Sequence, residues 1–207
     1  MNVQLINSFI DIPTGNICDS NNREGSMDES IKPLHDKFQL TGYAMTISCI
    51  PGDNLTIHKA IEEAKPGSVL VIDCKGYTGA GVFGELFATS CIARGIKGVV
   101  IDGACRDKND LIELNFPVFA KGVNPNGTLK ETCGEINTTI QCGGRIVNPG
   151  DIIIGDCDGI VVIPQERAEE VLKKSKAKKQ KEDEIKILLA QGKTTAELMG
   201  FNKKWNK

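Results

Sequence analysis

The stretch from Gly84 to Asp107, GELFATSCIARGIKGVVIDGACRD, constrains the fold of this chain more than any other. Gly84-Glu85 opens a short helix that stops at Gly95, and an apolar run, Val99 to Ile101, follows as a buried strand. Beyond that strand come Asp102, Arg106 and Asp107. A βα unit of this kind returns the helix start and the end of the next strand to one edge of a parallel sheet. In open α/β sheets that edge is where ligands bind. Glu85 therefore faces Arg106-Asp107 across a crevice, with a helix N-terminus between them.

The flanking sequence repeats the same alternation. Leu40–Ile50 is rich in β-branched and aromatic residues and predicts a strand. Pro51–Asn54 is a turn in which Asp53 or Asn54 caps a helix over Leu55–Ala64. Ser68–Cys74 (SVLVIDC) is apolar on consecutive positions, as a strand covered on both faces requires. Asn109–Leu114 reads as a helical turn and Pro117–Ala120 as a further strand. Upstream, Thr14 or Asn16 is placed to cap a short helix reaching Ser20. The pattern from 41 to 120 is that of an α/β protein. From 121 to 164, Thr138–Cys142, Arg145–Val147, Asp151–Ile154 and Gly159–Ile163 are short strands between glycine turns. They should pack on, or continue, the first sheet.

Residues 165–207 read as a helical arm distinct from a catalytic body over 1–164. A long helix runs from Gln165 to about Ala190, with six lysines between Lys173 and Lys181. With so few apolar positions it cannot be packed on its own body along its whole length. Its apolar end (Ile185, Leu188, Leu189, Leu198, Met199) suits a neighbouring subunit.

Composition excludes several classes. Among 207 residues, 25 basic against 27 acidic side chains give a net charge of −2 and no bias toward nucleic acid or anionic membranes. The first residues lack a basic, then apolar, secretion signal, and no apolar run is long enough to span a bilayer. Eight cysteines, none in a CxxC pair, read as reduced thiols of a cytoplasmic protein. His35 and His58 read as surface residues, and Asp156–Gly159 as a turn.

Gly79-Ala80-Gly81-Val82-Phe83-Gly84 spells the G-x-G-x-x-G of dinucleotide sites, with Asp102 as the ribose acid. Two features argue against that use. Cys74-Lys75-Gly76-Tyr77-Thr78 intervene between the strand and the first glycine of the motif, and Glu85 would repel a diphosphate at the helix start. A small oxo-acid fits better. Its carboxylate would meet the N–H groups of Glu85, Leu86 and Phe87, and Arg106 would clamp it. Asp107 and Glu85 are hard oxygen donors of the kind that Mg²⁺ or Mn²⁺ accepts, and such an ion beside an oxo group stabilises an enolate.

TGYAMTI, PGDN, PGSVLVID, the Gly84-Glu85-Leu86 helix start, GVVIDGACRD, PVFAKG and NPGDIIIGDCDGIVVIP together resemble the RraA-like family, which includes the 4-hydroxy-4-methyl-2-oxoglutarate aldolases. The resemblance spans about Asp11 to Pro164. It implies a compact α/β/β fold of the swivelling-domain kind, assembled as homotrimers or hexamers with sites near subunit interfaces. It further implies a divalent-metal-dependent lyase that splits a 4-hydroxy-2-oxo acid to pyruvate and a second oxo acid, and that decarboxylates oxaloacetate. On this pattern the backbone at Gly84, Glu85, Leu86 and Phe87 holds the pyruvyl carboxylate, Arg106 stabilises the enolate, and Asp107 carries Mg²⁺ or Mn²⁺. Glu85 stands where aldolase members place an acidic residue that handles a water. Glu182 or Glu184 of a neighbour is a further candidate for the site. Members that act only as ribonuclease regulators lack the Arg-Asp pair, which this chain keeps. The alternatives are such a regulator, binding protein or RNA, and, more remotely, a dinucleotide-binding oxidoreductase.

Overall fold

The computed structural model describes residues 3–205, and its central strands are buried along their whole length, as their unbroken apolar runs require. Helices α1 (Val3–Asn7) and α2 (Thr14–Ser20) precede a short strand, β1 (Lys32–Pro33). Then come β2 (Leu40–Ser48), α3 (Leu55–Glu63), β3 (Ser68–Asp73), α4 (Glu85–Ala93), β4 (Gly98–Cys105), α5 (Lys108–Glu113) and β5 (Val118–Val123). The strands β2, β3, β4 and β5 run parallel and adjacent, as the α/β pattern predicts. The second half adds β6 (Glu135–Ile136), β7 (Ile140–Cys142), β8 (Arg145–Val147), β9 (Ile152–Asp156) and β10 (Gly159–Ile163).

Both expectations for the second half are met. The β9–β10 hairpin continues the sheet antiparallel to β2, and β7–β8 forms a separate hairpin laid over it. The full order is β1-β5-β4-β3-β2-β9-β10, with β6 pairing the end of β2. The two outer strands approach each other: Lys32 Nζ donates to the Asp158 carbonyl at 2.7 Å, and Met27 N donates to the Ile160 carbonyl at 2.9 Å. The result is a nearly closed, barrel-like sheet.

Strand side chains alternate in direction with a period of two. Leu70 and Ile72 join Met45, Ile47, Val99 and Ile101 beneath α3, α4 and α5. Val69 and Val71 point the other way, into an interior shared with Val100, Phe119, Ile153, Ile160 and Val162. Ile152, Ile154, Val161 and Ile163 form a third cluster under α1, α2 and the start of α6. At about 25 cal/mol per Å² of apolar surface, these three layers supply the main driving force for the fold.

Two local readings are corrected and one is narrowed. Thr14 is the first residue of α2 rather than its cap; its N–H and hydroxyl bond Asp156 at 2.9 and 2.7 Å. Strand β4 continues past Ile101 through an irregularity to Cys105, so Asp102 lies inside the strand and not beyond it. Of the two candidates for the start of α3, Asp53 serves: its Oδ1 accepts from Leu55 N at 2.8 Å, while the Asn54 side chain makes no cap bond.

All eight cysteines are free thiols, five of them buried. Burial pushes the Cys91 thiol up to about 12 and that of Cys105 to about 11, so both stay protonated at neutral pH. Helix α6 (Ala168–Ala190) buries only Ala168, Val171 and Ser175, and its first two-thirds lie on α2, with Lys178–Asp19 and Asn16–Glu182 contacts. Its far end and the segment beyond, with Met199 and Trp205 exposed, lack cover from this chain, as the lysine pattern requires. No helix among the described residues is long and apolar enough to cross a membrane.

Candidate functional site

The end of β4 is extended by a second piece of chain. Val82 N donates to the Ala104 carbonyl and Arg106 N to the Phe83 carbonyl, both at 2.9 Å. The loop before α4 thus runs beside β4 like an added strand and fixes Gly84 against Arg106-Asp107. A Cβ on Gly84 would collide with Asp107 Oδ2 and sit 3.1 Å from Arg106 Cγ. Glycine is needed there for close approach. Asp107 itself adopts a left-handed conformation (φ 55°, ψ 42°) as it opens α5, which turns its side chain back toward α4.

Gly84, the start of α4, Arg106 and Asp107 thus meet at one edge, as their spacing along one βα unit predicts. Asp107 Oδ2 accepts from Glu85 N at 3.1 Å and lies 3.4 Å from Arg106 Nε. Of the three N–H groups expected to be open to a carboxylate, only that of Leu86 is. The Glu85 N–H serves Asp107, and the Phe87 N–H closes onto the Gly84 carbonyl at 3.1 Å. An acidic side chain already meets the positive end of the helix, where it is favourable on dipole grounds.

A cleft of about 250 Å³ opens here, lined by Gly84, Leu86, Phe87, Arg106 and Asp107 among others. The Glu85 side chain is exposed and does not line it. Asp102 is also absent, for a physical reason. On β4 it points to the opposite face, where Lys121 Nζ approaches it at 2.6 Å and Gly143 N donates to it at 3.0 Å. This removes the ribose acid of the dinucleotide reading, and the N–H groups of Gly81 and Val82 are consumed by backbone bonds. A larger groove of about 710 Å³ lies at the opposite end of the strands and holds none of the predicted site residues.

The lining residues not anticipated include Asn54, His58, Thr128 and Lys130. They come from α3 and from a strap after β5. The latch is Asp53, which is buried and whose Oδ2 accepts from Glu131 N at 2.7 Å and Thr132 N at 2.9 Å. Leu129 N donates to the Gly52 carbonyl and Asn54 N to the Leu129 carbonyl. These bonds swing Lys130 over the start of α3. His58 is exposed, as expected of a surface residue, yet it forms a cleft wall, edge-on to Phe87 with ring centroids 4.5 Å apart. Desolvation, and then the Lys130 charge, hold its pKa below the ordinary value, so the imidazole is neutral at pH 7.

Asp53 yields a stability prediction. Burial raises its pKa, but the N–H groups of Leu55, Glu131 and Thr132, with the Lys130 charge, more than offset this and the net shift is downward. A depressed folded-state pKa contributes stability above the unfolded value of about 3.9, and that stability is lost as pH falls through the folded value. Asp53→Asn should therefore be less stable than wild type in urea at pH 7, with the gap narrowing by pH 3. A gap independent of pH would contradict the latch.

Among the described residues no three His, Cys, Asp or Glu side chains gather to enclose a metal ion. What the cleft offers is one hard carboxylate, Asp107. That donor set fits Mg²⁺ or Mn²⁺, which commonly keep their waters and bind through one or two carboxylates plus a substrate.

The fold agrees with what the chain is similar to. Residues 14–162 match the family model described as RraA-like, aldolase/RraA. The chain belongs to the RraA-like family. A relative from Halalkalibacterium halodurans, named as a putative 4-hydroxy-4-methyl-2-oxoglutarate aldolase, is 41% identical over 184 residues, covering 89% of this chain and 87% of that one. Among solved structures, an uncharacterised protein of Pseudomonas syringae superposes with a TM-score of 0.86 at 26% identity, covering 94% and 92% of the two chains. Streptomyces coelicolor RraAS2, titled an unusual member of the RNase ES inhibitor RraA family, gives 0.82 at 25% identity over 89% and 97%. The RraA-like family thus includes both aldolase-named and regulator-named relatives of this chain.

Proposed function

We propose that this RraA-like protein is a divalent-metal-dependent lyase that cleaves a 4-hydroxy-2-oxo acid, of the 4-hydroxy-4-methyl-2-oxoglutarate kind, to pyruvate and a second oxo acid. Oxaloacetate decarboxylation follows from the same enolate chemistry. The observation that carries this reading is the pairing of Arg106 with Asp107 at the helix start, held by the Phe83–Arg106 and Glu85–Asp107 bonds.

The Leu86 N–H and the Arg106 guanidinium bind the oxo-acid end. As the C3–C4 bond breaks, its electron pair moves toward the C2 oxygen and the 4-hydroxyl proton passes to water, leaving the second product as a carbonyl. Arg106 stabilises the enolate, whose C3 then takes up a proton to give pyruvate. Glu85, exposed beside Asp107, exchanges these protons with water. Asp107 would hold the Mg²⁺ or Mn²⁺, which when bound polarises the oxo group. Neutral His58 and Lys130 form the wall facing the departing half.

Leu86 is 80% exposed and Leu129 65% exposed at the edge of this cleft. Such apolar residues around a site favour a homo-oligomer, a trimer or hexamer, in which a neighbour's C-terminal segment covers the opening. Of the two glutamates considered for that role, Glu182 is engaged with Asn16 and Lys178 of its own chain, and Glu184 accepts from Gln180 Nε2 at 3.4 Å.

The test is pyruvate release from oxaloacetate and from 4-hydroxy-4-methyl-2-oxoglutarate, with Mg²⁺ and in EDTA. Activity should require the ion, and Asp107→Ala should lose at least about 100-fold at fixed Mg²⁺. Full activity in EDTA would sink the metal dependence. The relatives named as RNA-processing inhibitors support a second reading, a non-catalytic regulator. No pyruvate from either substrate, with a ribonuclease partner retained in a pull-down, would favour it.

A further inference from the structure

Asn54 is 6% exposed, lines the cleft, and has one polar atom unaccounted for. Its Nδ2 donates to the Val82 carbonyl at 3.1 Å, which fixes the amide orientation, since the flipped form would set oxygen against oxygen. Its Oδ1 is buried and has no hydrogen-bond partner. A buried acceptor without a donor is costly, and native proteins rarely keep one without a reason. Here the cleft ligand is the natural source of that donor.

Resting on the lyase reading above, the chemistry of the substrate then narrows the choice. In a 4-hydroxy-2-oxo acid the carboxylate and the oxo oxygen only accept; the 4-hydroxyl is the sole donor. We infer that Asn54 is a specificity-determining residue whose Oδ1 accepts the hydrogen of the substrate's 4-hydroxyl, selecting hydroxy acids over their deoxy counterparts. The same wall carries His58 and Lys130, and the oxo-acid end lies toward Arg106. The contact belongs to the bound substrate, because that hydrogen leaves as the carbon–carbon bond breaks and the product presents only a carbonyl oxygen. Asn54 therefore governs binding and choice of substrate. Its loss raises KM for the hydroxy acid without lowering kcat.

The experiment is calorimetric titration of the full chain in EDTA with a 4-hydroxy-2-oxo acid and with its 4-deoxy analogue. Wild type should bind the hydroxy acid about tenfold more tightly, the worth of one buried hydrogen bond. Asn54→Ala and Asn54→Leu should bind both acids alike, at the level of the deoxy compound. Should both variants fold poorly, the wild-type ratio decides by itself. Equal affinities in wild type overturn the inference, whether or not pyruvate is released. A tenfold preference without pyruvate release in Mg²⁺ overturns the lyase reading and leaves this one standing. Binding of neither acid, in EDTA or in Mg²⁺, overturns both.

Discussion

Arg106→Ala should lower kcat/KM for pyruvate release by about 10³-fold while leaving stability within about 0.5 kcal/mol of wild type. The two halves of that expectation have separate causes. The side chain is 43% exposed and its one ion pair, with Asp107, is at a partly solvated edge, where such pairs contribute little to folding. Its proposed work lies in the reaction, as a fixed charge aimed at oxygen that becomes more negative as the enolate forms. Arg106→Lys should recover only part of the loss, because an ammonium keeps the charge but not the planar fork. Steady-state kinetics with urea unfolding on the same samples separates the two effects. A large fall in stability with little change in rate would mean that Arg106 is a structural residue.

Phe83→Ala should have the largest effect on stability of any single change near the site, about 4 kcal/mol. The ring is fully buried, stacked between Phe87 at 5.4 Å and Phe116 at 6.0 Å between centroids. Truncation leaves a cavity where α4 and α5 meet the sheet. A typical domain has only about 5–15 kcal/mol in hand, so a shift of this size moves the urea midpoint far toward native conditions. The same residue's carbonyl receives the Arg106 N–H, so activity should fall at lower urea than the global transition. Coincident loss of activity and structure would argue that the loop before α4 has no local freedom of its own.

What was legible in the sequence follows from where the physics is local. Ser68–Asp73 and Gly98–Ile101 are buried on both faces and carry unbroken apolar runs, so the parallel strands could be read directly. Glu85 and Arg106-Asp107 are joined by one βα unit, so their meeting was also readable. Asp102 was misplaced because the irregularity between Ile101 and Ala104 lets β4 continue where the apolar run stops. The far wall was invisible because Lys130 reaches α3 through long-range bonds, among them one from Glu131 N to the second oxygen of Asp53, 78 residues away in the chain. PGDN signalled a helix start, which uses only one carboxylate oxygen; the other was the clue to the strap. Closure of the sheet was illegible too, resting on a two-residue strand, β1, and on β9 choosing β2 as its partner.

On the proposed reading, the edge formed by Gly84, the start of α4, Arg106 and Asp107 receives an oxo-acid together with a divalent ion. The most direct test is a crystal structure of the full chain grown with Mg²⁺ and pyruvate. The predicted result places pyruvate between the Leu86 N–H and the Arg106 guanidinium, with the ion on Asp107. Pyruvate in the larger groove at the opposite end of the strands, or Mg²⁺ bound away from Asp107, would contradict it.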